Sequence, residues 1–194
     1  MNAGAVPLKA VNPIRRAEPF DDPAWGFELK FDGFRCIADT LDQRLVSKHQ
    51  NRMRRFEPLV GTLPYGYVFD GEIVCLDETG RPSFNDLLFR KREPVYVAFD
   101  VLNVEGADVR GLPLRERRAV LDRLTARYRL QKSELFFGCG RSLFNAVCEF
   151  DLEGIIAKRL NDPYEPDRTK WWKILNPNYS QKEGRTELFE QRSA

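Results

Sequence analysis

Short apolar runs of strand length, joined by turns and interrupted by a few helices without strict strand–helix–strand repetition, predict an α+β fold with antiparallel sheets. Two patterns support this. Charged and apolar residues alternate with period two through Phe27-Glu28-Leu29-Lys30-Phe31-Asp32-Gly33-Phe34-Arg35, and a second apolar run with Asp70 and Glu72 on one face follows from Tyr67. The best helical periodicity, in contrast, comes after Pro113, a residue well suited to a helix start. A length of 194 residues suits one domain built as two lobes around a cleft, with helices flanking the sheets.

The elements are expected in this order. Residues 1–26 form an extended lead containing Pro7, Pro13 and Pro23, followed by a strand over 27–39 that runs through Gly33 and a second over 44–47. Residues 52–60 read as helical, 67–76 as a strand ending in the turn Asp77-Glu78-Thr79-Gly80, and Ser83 as the cap of a short helix holding Phe84, Leu87 and Leu88. An apolar strand over 95–102 precedes the helix over 114–128, with Leu114, Leu121, Leu124 and Tyr128 near one face and arginines on the other. A further helix starts at Ser142, a strand covers 154–159, the turn Asn161-Asp162-Pro163 follows, and a last strand covers 171–175. The main domain is placed at 27–180 and a polar tail at 181–194.

Composition narrows the function. With 31 basic against 29 acidic residues the chain is near neutral, so net charge alone does not announce nucleic acid. Three local basic groups do suggest a stripe for a phosphate backbone: Arg52, Arg54 and Arg55; Arg90, Lys91 and Arg92; Arg115, Arg117 and Arg118. No signal-like start and no membrane-length apolar run is present, so a cytoplasmic protein with no membrane partner is expected. Cys36, Cys75, Cys139 and Cys148 form no C-x-x-C pair and His49 is the single histidine, which argues against a zinc site, a disulfide frame and a Ser-His-Asp mechanism.

The chemistry-bearing residues fall on the strands. If 27–35 is one strand, Glu28, Lys30 and Asp32 share a face, and one lysine stands between two carboxylates. Lysine is the nitrogen nucleophile available for direct attack on an electrophile. Asp70 and Glu72 share a strand face with little polar company, and a buried carboxylate needs a pair, a metal or a cleft. Glu153 precedes Gly154-Ile155-Ile156-Ala157-Lys158, and Lys170 and Lys173 flank Trp171-Trp172. Together they offer a nucleophile, oxygen ligands of the Mg²⁺ type and cations for phosphate oxygens.

In order, the chain carries Lys30-Phe31-Asp32-Gly33-Phe34-Arg35, Asp70-Gly71-Glu72, Val97-Ala98-Phe99-Asp100, Glu153-Gly154-Ile155-Ile156 and Trp171-Trp172-Lys173. This series resembles the nucleotidyltransferase motifs of the ATP-dependent DNA ligases, closest to the small bacterial repair type. The resemblance implies an adenylation domain with a two-lobed, ATP-grasp-like fold, using ATP and Mg²⁺ in DNA repair and recombination. It implies that Lys30 forms lysyl-AMP and that AMP passes to a 5′-phosphate in nicked double-stranded DNA. It further implies that Glu28 contacts adenine, Asp32 lies beside the nucleotide and Arg35 meets its sugar or phosphate side, while Lys48 resembles the family's nucleotide-binding basic residue after the second strand, usually arginine. Glu72 would hold the ribose, Phe99 stack on adenine, Glu153 hold Mg²⁺ and Lys173 contact the α-phosphate.

Two departures from the family pattern stand out. Leu175 occupies the place of a second lysine in the last motif, and no segment is expected to form the oligonucleotide-binding (OB) domain that follows in the family. A partner protein supplying an OB-type domain would then complete the enzyme. The alternatives are a catalytically weakened nucleotide- or nucleic-acid-binding module, and an RNA ligase or capping-type nucleotidyltransferase.

Overall fold

The computed structural model describes residues 9–182, as two five-stranded sheets that enclose a cleft. One sheet contains β1 (Ile14–Arg15), β2 (Trp25–Leu29), β8 (Phe136–Phe137), β9 (Gly154–Arg159) and β10 (Trp172–Leu175), in the order β1-β10-β9-β2-β8. The other contains β3 (Phe34–Asp39), β4 (Arg44–Ser47), β5 (Tyr67–Val74), β6 (Val95–Val104) and β7 (Ala107–Asp108), in the order β4-β3-β5-β6-β7. All pairs are antiparallel except β1 with β10. The expected α+β class with antiparallel sheets therefore holds.

Three apolar clusters hold the layers. Helix α3 (Gly140–Glu149) covers the first sheet through Leu143 and Val147, which pack with Phe27, Ile155 and Ile174. The second sheet is covered by α2 (Leu114–Tyr128), α1 (Phe84–Phe89) and a 3₁₀ helix at Arg54–Thr62, through Leu121, Leu124, Leu87 and Phe56. Between the sheets lie Ala10, Val11, Ile37, Val68, Phe99, Tyr164 and Trp171. The lead is thus more than an extended approach: its Ala10 and Val11 are core residues, and its β1 runs beside the strand that carries Lys173. Of the tail, residues 183–194 lie outside the described residues.

The strand expected over 27–39 is two strands in different sheets. β2 stops at Leu29, and residues 30–33 cross to the second sheet before β3 begins at Phe34. Gly33 permits the crossing, because a Cβ there would lie 2.2 Å from the Ile73 carbonyl oxygen. Glu28, Lys30 and Asp32 consequently do not share one face. A period-two pattern continues through a crossover as well as through a strand, so alternation alone misses the break.

The basic face expected on α2 is also corrected. Arg117 and Arg118 lie within its buried stripe beside Leu114, Leu121 and Leu124. Arg117 grips Asp100 with bonds of 2.8 and 2.9 Å, and Arg118 bonds the Phe99 carbonyl and Ser133. Buried acids from β6 and β2 draw these cations inward, so of the third basic group only Arg115 stays exposed, where it bonds Asn161. In the first two groups, Arg52 pairs with Glu57 and Arg92 with Asp86 and Glu78.

Candidate active site

The cleft has a volume of about 650 Å³, within the range of small-molecule sites. Glu28, Lys30, Asp32, Arg35, Lys48, Glu72, Phe99 and Lys173 all line it. These come from β2, the crossing segment, β3, the end of β4, β5, β6 and β10, which shows how the topology collects distant motifs. Glu153 adjoins the cleft through Lys30, whose Nζ donates to its Oε2 at 2.6 Å.

Lys30 is held from the main chain as well. Its N–H donates to the Gly154 carbonyl at 2.9 Å, which continues the β2–β9 ladder one residue past Leu29. Gly154 is required by close approach, since a Cβ there would lie 2.3 Å from the Ile174 carbonyl oxygen. β9 and β10 can therefore run tightly together, with Glu153 in the loop that enters β9 and Lys173 on β10. Asp32 is buried and accepts from the Tyr179 hydroxyl at 2.9 Å.

Glu28 has turned inward. Its carboxylate pairs with Lys158 at 2.8 Å and accepts from the Ser133 hydroxyl at 2.7 Å, with Arg118 at 3.7 Å. Lys158 is a site residue that the sequence reading passed over. It is 1% exposed, lines the cleft, and stands 4.5 Å from the Phe99 ring centre and 4.1 Å from that of Trp171. Burial lowers its pKa against the pull of Glu28. A signal was available, because Ile156 and Lys158 alternate along β9 toward the same cleft.

Phe99 reaches the cleft through a β-bulge. Asp70 pairs with Asp100 but Gly71 with Ala98, so the ladder skips Phe99 and its ring is re-aimed. On β3, Arg35 forms a two-pronged bond to Asp70 at 3.1 and 2.6 Å, with its guanidinium 5.0 Å from the Phe99 ring centre. Burial works against the Arg35 charge, but Asp70 outweighs it and raises the pKa further. Tyr164 completes this support by donating to Asp70 at 2.5 Å while accepting from the Val11 N–H. Desolvation pushes Glu72 up to about 7, despite the opposing charges of Lys30 and Arg35.

Comparison with known proteins places this arrangement. The family model described as ATP dependent DNA ligase domain matches residues 7–174. The chain belongs to the ATP-dependent DNA ligase domain family. It is 34% identical over 181 residues to the SPbeta prophage-derived DNA ligase-like protein LigB of Bacillus subtilis (strain 168), covering 84% of this chain and 66% of that protein. It is also 34% identical over 163 residues to the multifunctional non-homologous end joining protein LigD of Pseudomonas aeruginosa, covering 76% of this chain and 19% of LigD. Among solved structures, a mycobacterial DNA ligase D complexed with ATP and MES superposes with a TM-score of 0.77 at 29% identity, covering 87% of this chain and 60% of that one. The chain thus spans just under two thirds of LigB and about a fifth of LigD.

Within this ligase-family cleft, the carboxylates define what kind of metal fits. Among the described residues no group of three or more histidine, cysteine, aspartate or glutamate side chains is arranged to hold a metal ion. What the cleft does offer is Glu153, with Glu72 close enough to feel its charge. One or two carboxylates match the demand of Mg²⁺, which keeps several waters and shares its coordination with substrate phosphates. The donor set therefore fits a nucleotide-borne Mg²⁺ rather than an all-protein metal cage.

Proposed function

We propose that the protein is an ATP- and Mg²⁺-dependent DNA ligase-type nucleotidyltransferase, with Lys30 as nucleophile. The observation that carries this reading is the placement of Lys30 in one cleft with Arg35, Lys48, Glu72, Phe99 and Lys173, its amine 2.6 Å from Glu153.

The Lys30 amine attacks the α-phosphorus of ATP, forming a P–N bond while the P–O bond to pyrophosphate breaks. An amine can attack only with its lone pair free, so its proton must leave first. Glu153 would hold Mg²⁺ together with the phosphates, and the ion when bound supplies charge neutralisation on the phosphoryl oxygens. Lys173 and Lys48 serve the phosphates, Glu72 the ribose hydroxyls, and Phe99 the adenine face. Glu28, its two oxygens engaged by Lys158 and Ser133, forms part of the cleft wall that would meet the base, and Asp32 steadies the turn after Lys30. AMP then passes to the 5′-phosphate of nicked duplex DNA, and the 3′-hydroxyl displaces it to close the strand.

The DNA substrate and the repair setting are supported by the ligase domains that this chain resembles, and a cytoplasmic location belongs to the same proposal. Clamping of the nick is assigned to an OB-type module outside the described residues, for which a partner protein would be one source. One observation favours the weakened-module alternative. Leu175, next in the alternation after Lys173, is not among the cleft-lining residues and brings no cation.

The test is intact mass after incubation with ATP and Mg²⁺. The reading expects a gain of one adenylyl group that is absent from Lys30→Ala. An unmodified wild-type chain that still binds ATP would replace this reading with the binding-module one.

A further inference from the structure

The segment after β10 does more than leave the domain. Asn176 donates its N–H to the Glu153 carbonyl at 3.0 Å and its side-chain amide to the Leu152 carbonyl at 3.1 Å. Ser180 bonds Asp151 through its N–H and its hydroxyl, at 2.9 and 2.5 Å. Gln181 donates to the Pro82 carbonyl at 3.2 Å and accepts from the Phe84 N–H. Residues 176–181 therefore form a strap from the last strand of one sheet, along the loop that carries Glu153, to the start of α1 over the other sheet.

At the centre of the strap is Tyr179, 6% exposed, whose hydroxyl donates to Asp32. Asp32 lies two residues beyond Lys30, in the crossing segment that lacks strand pairing beyond the Lys30 N–H. Tyr179, Asp32, Lys30 and Glu153 also line one small cavity of about 10 Å³, so the strap borders the same space as both members of the Lys30–Glu153 pair. A phenol buried at this point against an acid restrains the turn that aims the amine.

We propose that Tyr179 is a positioning residue for Lys30, acting through Asp32, so that the strap after the last strand sets the reach of the nucleophile. The proposal rests on the lysine adenylation put forward above. A misplacement on the order of 1 Å can cost up to about 100-fold in rate, and loss of a single buried tether should cost less than that.

The experiment uses the full chain and Tyr179→Phe, which removes one oxygen. Two readouts are taken: adduct formation across ATP concentrations, and amide hydrogen exchange in peptides covering residues 30–33 and 151–154. The expected result is an adduct rate at saturating ATP about tenfold lower, with half-saturation by ATP within about twofold. Exchange in those two peptides should quicken about fivefold or more while β5 stays unchanged. Unchanged rate and exchange would overturn the proposal. So would a melting temperature lowered by more than about 10 °C with exchange quickened throughout, because that marks a general structural role. If the wild type forms no adduct, the function reading falls, and exchange in the two peptides still decides whether Tyr179 restrains the Lys30 turn.

Discussion

At the scale of single residues, the cleft is a set of charges whose neighbours decide what each can do. Glu72 is the clearest case, with its carboxyl pushed up to about 7 chiefly by desolvation. An unfolded glutamate releases its proton near pH 4.5, so between there and pH 7 the unfolded state binds fewer protons and stability falls as pH rises. Glu72→Gln should remove that decline, worth on the order of 1–3 kcal/mol across the window. Urea unfolding of both proteins at pH 5 and pH 7.5 checks it, and parallel pH dependence in the two would refute the assignment. That Lys30 shares one cleft with acid and aromatic side chains from distant segments was legible, because these residues stand in an ordered series of motifs that the family resemblance ties together. Tyr164 and Tyr179 were not legible, since both lie in irregular segments where no periodicity says what a hydroxyl will meet.

At the scale of elements, the sequence shows which segments are regular but not always which way their polar residues face. The 3.6-residue stripe of α2 includes positions 117 and 118, yet arginine there reads as solvated until Asp100 and Glu28 are known to lie beneath the helix. This makes a sharp prediction. Arg117→Met strands Asp100 without its cation and should cost about 3–5 kcal/mol, whereas pairing it with Asp100→Leu should recover much of that loss. Equilibrium unfolding of the two variants decides it, and equal losses in both would show that packing rather than charge is at stake. The crossing at residues 30–33 carries a similar lesson. Gly33→Ala forces a Cβ toward the Ile73 carbonyl and should destabilise by about 1–3 kcal/mol, while lowering adduct formation by more than stability alone explains. Matching the loss of adduct to the fraction unfolded would sink the second half of that prediction.

At the scale of the whole molecule, the proposed function requires the cleft to accept a polyanion, and its cations are less free than their number suggests. Arg35 is committed to Asp70, Lys158 to Glu28 and Lys30 to Glu153. Among the described residues, Lys48 and Lys173 are the cleft lysines without a carboxylate at ion-pair distance. Two free ammonium groups are few for a triphosphate, and the position that would add a third on the same strand, two residues past Lys173, is Leu175. It pairs with Gly154 directly after Glu153, so a longer cationic side chain there starts beside the loop that carries Glu153. Leu175→Lys should therefore raise the rate of adenylation, or of nick sealing with an OB-type module supplied, by about three- to tenfold. The gain should shrink as salt is raised, because it comes from charge at a partly exposed site. Measuring both steps at low and high ionic strength tests this directly. No change in either step would show that the existing cations already meet the phosphates, and that any slowness of this protein has its origin outside the cleft.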